Sequence, residues 1–137
     1  IGECAFDGCS SLTSITIPDS VTSIGGYAFY GCSSLTSITI PDSVVSIGNN
    51  AFEGCSSLTS ITIPDGVVSI GGAAFYNCSS MKEVYCKSTT PPAGGSWMFH
   101  DNPLERKIYV PTESVEAYKA ADYWSDYADS IVGCDYQ

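Results

Sequence analysis

A single period of 23 residues governs this chain. Phe6, Phe29, Phe52 and Phe75 recur at that spacing, as do Cys9, Cys32, Cys55 and Cys78, and Leu12, Leu35, Leu58 and Met81. A fixed period of this kind means that each unit is one supersecondary element, unable to bury its apolar side alone and obliged to stack on its neighbours. The segment Cys9 to Gly31 differs from the next only at Val45, Asn49, Asn50 and Glu53. A fourth unit is degenerate. Val84 and Cys86 stand where the third has Ile61 and Ile63, and one inserted residue places Phe99 24 residues after Phe75. Ile108, Val110 and Pro111 restate the Ile-x-Ile-Pro segment, and Ile1 to Phe6 match Ile24 to Phe29. The expected organisation is a partial repeat over 1–8, four repeats over 9–102, and a final strand with a cap over 103–137. The chain opens in mid-repeat without a Met, which predicts the C-terminal piece of a longer array.

Within one unit, Leu12-x-x-Ile15-x-Ile17 predicts a short strand, with Ile15 and Ile17 on one face and Ser14 and Thr16 on the other. Pro18 lacks an N–H and ends it, and Asp19-Ser20 supplies a turn. Val21, Ile24, Ala28 and Phe29 carry the chain back across the opposite side, with Gly25-Gly26 at a tight corner. Each unit is thus one coil of a solenoid. Past Pro111 the repeat stops: Ser114 to Ala121 read as a helix with a Ser/Thr cap and acids in its first turn. Val115, Tyr118, Trp124, Tyr127, Ile131 and Val132 then supply the apolar side chains to close the core.

The unit Leu-x-x-Ile-x-Ile-Pro-x-x-Val-x-x-Ile-Gly-x-x-Ala-Phe-x-Gly-Cys-Ser-Ser resembles the 23-residue BspA-like subclass of leucine-rich repeats. Ile108 to Ala121, with Trp124-Ser-Asp-Tyr127, is similar to the terminal segment of such proteins from gut and oral anaerobic bacteria. The resemblance implies an α/β solenoid: a right-handed leucine-rich-repeat coil with a short-stranded parallel sheet on its concave face and a C-terminal helical cap. It further implies a secreted or surface-exposed bacterial protein with a role in adhesion or protein binding, and it hands down no catalytic residue.

Stacking sets equivalent residues of adjacent coils about 4.8 Å apart. The outward column Thr16, Thr39, Thr62 therefore continues into Tyr85 and Tyr109, and Ser14, Ser37, Ser60 into Glu83 and Lys107. A third column, Thr13, Thr36, Thr59, continues into Lys82 and Arg106. Tyr and Arg anchor interfaces, so Lys82, Glu83, Tyr85, Arg106, Lys107 and Tyr109 form the candidate binding corner. The alternative is that these coils are a transition to the cap, with Tyr covering the sheet end. The Ser/Thr face itself is explained by β-propensity and solubility.

Other chemistries find little support. A net charge of −10 excludes a nucleic-acid or anionic-membrane binder, and no apolar run is long enough to span a bilayer. Asp19, Asp42 and Asp65 form a column without a second acidic ligand beside each, and an Asx turn explains them without calcium. The repeating cysteines are expected inside as small hydrophobes, Cys86 with them, leaving Cys4 and Cys134 accessible; this suits a reducing habitat. Without Cys-x-x-Cys, and with His100 the only histidine, neither zinc nor a Cys–His dyad is expected. The expectation is a non-enzymatic module with no cofactor or metal, engaging an extracellular protein or glycan, and self-associating through its open N-terminal sheet edge. A structural spacer is the second reading.

Overall fold

The computed structural model describes residues 1–136. Gln137, the last residue of the expected cap, lies outside the described residues. The strands of the coils pair into two parallel sheets. Ser23–Ile24 (β1), Ser46–Ile47 (β2) and Ser69–Ile70 (β4) pair in exact 23-residue register, Ser23 with Ser46 with Ser69. The larger sheet has the order β3-β5-β6-β7, formed by Ser60–Ile63, Glu83–Cys86, Lys107–Pro111 and Ile131–Cys134. The chain is a leucine-rich-repeat solenoid, and the larger sheet is its concave face.

Between the sheets the repeating side chains form continuous ladders. The rings of Phe6, Phe29, Phe52, Phe75 and Phe99 stack at 5.3, 5.1, 5.2 and 5.5 Å between centroids, all within 11° of parallel. Each Phe N–H donates to the next coil, Phe29 to Ala51 and Phe52 to Ala74, both at 2.7 Å. The first three Phe carbonyls each accept a thiol from the following unit: Cys32 Sγ to Phe6 O at 3.2 Å, Cys55 to Phe29 at 3.2 Å, Cys78 to Phe52 at 3.1 Å. Ile, Leu and Val of the repeat fill the remaining core. The corner glycines allow this approach: a Cβ on Gly25 would lie 2.7 Å from the backbone nitrogen of Glu3.

Three expectations need correction. The sheet strand is regular only from the third coil; over 14–17 and 37–40 the burial alternates as expected but no strand forms. Over these coils Phe6, Cys9, Leu12 and Ile15 are only partly covered, and short strands with incomplete packing on their inner face are marginal. The helix Val115–Ala120 (α1) has no side-chain cap, because the Ser114 hydroxyl donates instead to Thr89 O at 2.7 Å. The expected helical cap also contributes a strand: Ile131–Cys134 pairs with β6, Ile108 opposite Ile131. The segment 112–130 acts as a clamp on the loop before it, since Tyr118 Oη donates to Ser88 O at 2.7 Å and Trp124 Nε1 to Pro92 O at 2.8 Å.

Candidate binding surface

Pairing across the concave sheet builds the surface. Thr62 lies opposite Tyr85, Tyr85 opposite Tyr109, and Tyr109 opposite Val132, so one outward column ends in two rings and a branched aliphatic. Ser60, Glu83 and Lys107 form the column beside it. The rings of Tyr85 and Tyr109 stack at 5.0 Å and 15°. Tyr85 Oη donates to Glu83 Oε2 at 3.1 Å, which orients both side chains. Desolvation and then the Glu83 carboxylate push the Tyr85 phenol above its ordinary value. Tyr136 Oη donates to Tyr109 O at 2.8 Å and extends the aromatic edge. Beyond it lies an open cleft of about 280 Å³, lined by Lys87, Glu113, Cys134, Asp135 and Tyr136 among others. Lys82, Glu83 and Lys107 are exposed, and the two tyrosines are half-buried.

Arg106 does not belong to this surface. It is 8% exposed, and its guanidinium donates through Nη1 to Phe99 O at 3.2 Å and through Nη2 to Ser130 Oγ at 3.3 Å. Its Cζ sits 5.1 Å from the centre of the Tyr127 ring, and burial pulls its pKa below the ordinary value. The cause is a frame shift of one residue. In the coils the N–H of Leu12, Leu35, Leu58 or Met81 closes a turn onto the Cys carbonyl three residues back; here Arg106 N–H closes onto Pro103 O at 3.0 Å. Arg106 therefore fills the inward Leu slot. Its guanidinium serves the carbonyl that a Cys or Asn serves elsewhere, Asn102 Nδ2 donating to Phe75 O at 2.9 Å. Tyr127 completes the termination, its hydroxyl accepting the Phe99 N–H at 3.2 Å, in the place of a further coil.

The remaining chemistry-bearing residues lie apart. Cys32, Cys55, Cys78 and Cys86 are fully buried, Cys9 and Cys134 partly covered, and Cys4 exposed. His100 stands apart from the concave sheet, 3.6 Å from Asp101 and stacked on Trp97. Among the described residues no group of three or more His, Cys, Asp or Glu is placed to hold a metal ion, and no helix is long and apolar enough to cross a membrane.

A model of the BspA-type leucine-rich repeat region matches residues 1–121 in six copies. The chain belongs to this family. Among solved structures, it is similar to a leucine-rich repeat protein of T. pallidum, with 34% identity and a TM-score of 0.75 over 82% of this chain and 52% of that one. A leucine-rich repeat protein from Bacteroides ovatus is 30% identical, with a TM-score of 0.70 over 93% of this chain and 31% of that one. A leucine-rich cell surface protein from Faecalibacterium prausnitzii is 26% identical, with a TM-score of 0.50 over 98% and 42%. The chain thus spans about half the length of the first and a third of the second. Among curated proteins none matches it.

Proposed function

We propose that this chain is a non-enzymatic adhesion module of a bacterial surface or secreted protein, binding an extracellular protein or glycan through the C-terminal part of its concave sheet. The observation that carries this reading is the stacked Tyr85–Tyr109 pair, held in register on a rigid sheet and flanked by Lys82, Glu83 and Lys107. Paired, partly desolvated tyrosines supply large contact area at little conformational cost. The polar groups beside them supply selectivity. Arg106 has no part in it, because its guanidinium is committed to Phe99 and Ser130. The surface location rests on the family and on its similarity to a cell surface protein.

The test is retention on immobilised extracellular-matrix and mucin preparations, comparing the chain with its Tyr85→Ala/Tyr109→Ala variant at equal thermal stability. Retention lost in the variant supports the reading; equal retention removes the Tyr pair from it. A spacer role is favoured by the first coils, whose outward positions repeat only Ser and Thr, and it gains if neither protein is retained. We also propose that this stretch of chain, taken alone, self-associates through half-covered Ile1, Phe6, Leu12 and Ile15. Light scattering across a concentration series should show a rising mass, and a constant monomer mass would refute it.

A further inference from the structure

The turns outside the concave sheet carry a second ordered feature. Two columns run along the turns that hold the phenylalanine ladder: Cys4, Tyr27, Asn50, Ala73, Trp97 and, three residues on, Asp7, Tyr30, Glu53, Tyr76, His100. Backbone bonds fix both columns, Tyr27 N–H donating to Asn49 O and Ala73 N–H to Ser96 O in one, Gly31 N–H to Glu53 O and Gly54 N–H to Tyr76 O in the other, at 2.8–2.9 Å. The rungs between them pair by side chain. Tyr27 and Tyr30 lie 5.4 Å apart, the Asn50 amide donates to the Glu53 carboxylate, and Trp97 stacks on His100 at 5.2 Å with Tyr76 against both at 5.6 and 5.7 Å.

Folding alone does not account for these rings. Every residue of the first column has a left-handed backbone, φ between 55° and 63°, a conformation that Asn accepts and a bulky side chain resists. Asn50 and Ala73 make the same turn without an aromatic ring. Yet Trp97 is 58% exposed and Tyr27 40%, while the core is already filled by the phenylalanines. The charge is one-sided too. Lys82 and Lys107 lie on the concave sheet, Lys87 at its end, Lys119 in α1, and Arg106 is buried, so the ridge holds Asp7, Glu53 and Asp101 without a Lys or Arg, its one histidine, His100, lying 3.6 Å from Asp101.

We propose that this ridge is a second interaction surface, distinct from the Tyr85–Tyr109 face, which takes a basic extended segment of a partner protein. Its Lys or Arg side chains lie over the Trp97, Tyr27 and Tyr30 rings, with their charge compensated by Glu53 and Asp101. A cation over an indole face is the strongest of the cation–π pairs, and the ordered rings are prepaid for it. From the Tyr27/Tyr30 rung to the Trp97/His100 rung is about 15 Å, the reach of four to five extended residues. An uncharged glycan would use the rings but leave the one-sided charge unexplained, and the net charge of −10 disfavours an acidic one.

The experiment titrates the folded chain with a hexa-arginine peptide and, separately, with neutral oligosaccharides, reading affinity by calorimetry at low and moderate salt. Trp97→Asn is the variant of choice, because Asn already occupies the equivalent turn at position 50. The expected result is that hexa-arginine binds, that Trp97→Asn weakens it about fivefold, and that Glu53→Gln/Asp101→Asn weakens it and flattens its salt dependence. Tyr85→Ala/Tyr109→Ala should leave it unchanged, so this result is independent of the concave face. Undiminished peptide binding in the Trp97→Asn variant, or no peptide binding at all, overturns the proposal. So does an oligosaccharide that binds in place of the peptide and is lost with Trp97.

Discussion

Alkaline pH should destabilise this protein through its own core thiols. Cys55, Cys78 and Cys86 are fully buried, and Cys55 and Cys78 donate their S–H to the carbonyls of Phe29 and Phe52. Desolvation pushes the Cys78 thiol from 9.0 to about 12, and raises Cys55 and Cys86 further. A thiolate is poorly tolerated there and has no proton to donate. Because the folded values lie above the unfolded one, the stabilisation is fully present below pH 9 and declines as the pH rises through the folded values. At about pH 10 the unfolded chain has released these protons and the folded chain has not, which costs on the order of 1 kcal/mol per thiol, or roughly 3–4 kcal/mol for the three. That is a large part of a domain's usual 5–15 kcal/mol, roughly. Guanidinium unfolding followed by circular dichroism at about pH 8 and about pH 10 measures the loss, and Cys55→Ala should remove about a third of it. A loss below about 1 kcal/mol, or the same loss in the variant, would refute the reasoning.

Other perturbations probe the ladder and its end. Phe52→Ala empties a place stacked at 5.1 and 5.2 Å on both sides and should cost about 3–5 kcal/mol in chemical unfolding; a cost below about 1 kcal/mol would contradict a stacked core. Arg106→Met should lower stability by about 2–3 kcal/mol by leaving Phe99 O unsatisfied, while retention on matrix or mucin stays as in the parent chain. Ellman's reagent should find Cys4 quickly and Cys9 and Cys134 slowly, and reach Cys32, Cys55, Cys78 and Cys86 only on unfolding; early reaction of all seven would show the core to be open.

The register of the concave face was legible because parallel stacking of an exact repeat leaves one pairing available, and Thr62, Tyr85 and Tyr109 fall opposite one another as their spacing requires. The inward cysteines were legible for the same reason. Arg106 was not, because the shift of frame between Asn102 and Ile108 is visible only in the backbone turn onto Pro103. Alignment by the downstream Ile-x-Val sets Arg106 beside Lys82, on the outward side. The strand Ile131–Cys134 carries only a two-residue β-branched signal, Ile131-Val132, and it forms because β6 offers a free edge. The aromatic ridge went unnoticed because the repeat sets Tyr27, Tyr30, Tyr76 and Trp97 at positions that vary between coils. Only their lateral spacing reveals them as neighbours.

Hydroxyl-radical footprinting of the chain, free and bound to the matrix or mucin fraction that retains it, reads the proposed surface directly. The account predicts that Tyr85 and Tyr109 are oxidised in the free chain and protected in the bound one, while Thr16 and Thr39 at the far end of the sheet stay unshielded. Equal oxidation of Tyr85 and Tyr109 in both states, with the chain still bound, would contradict it.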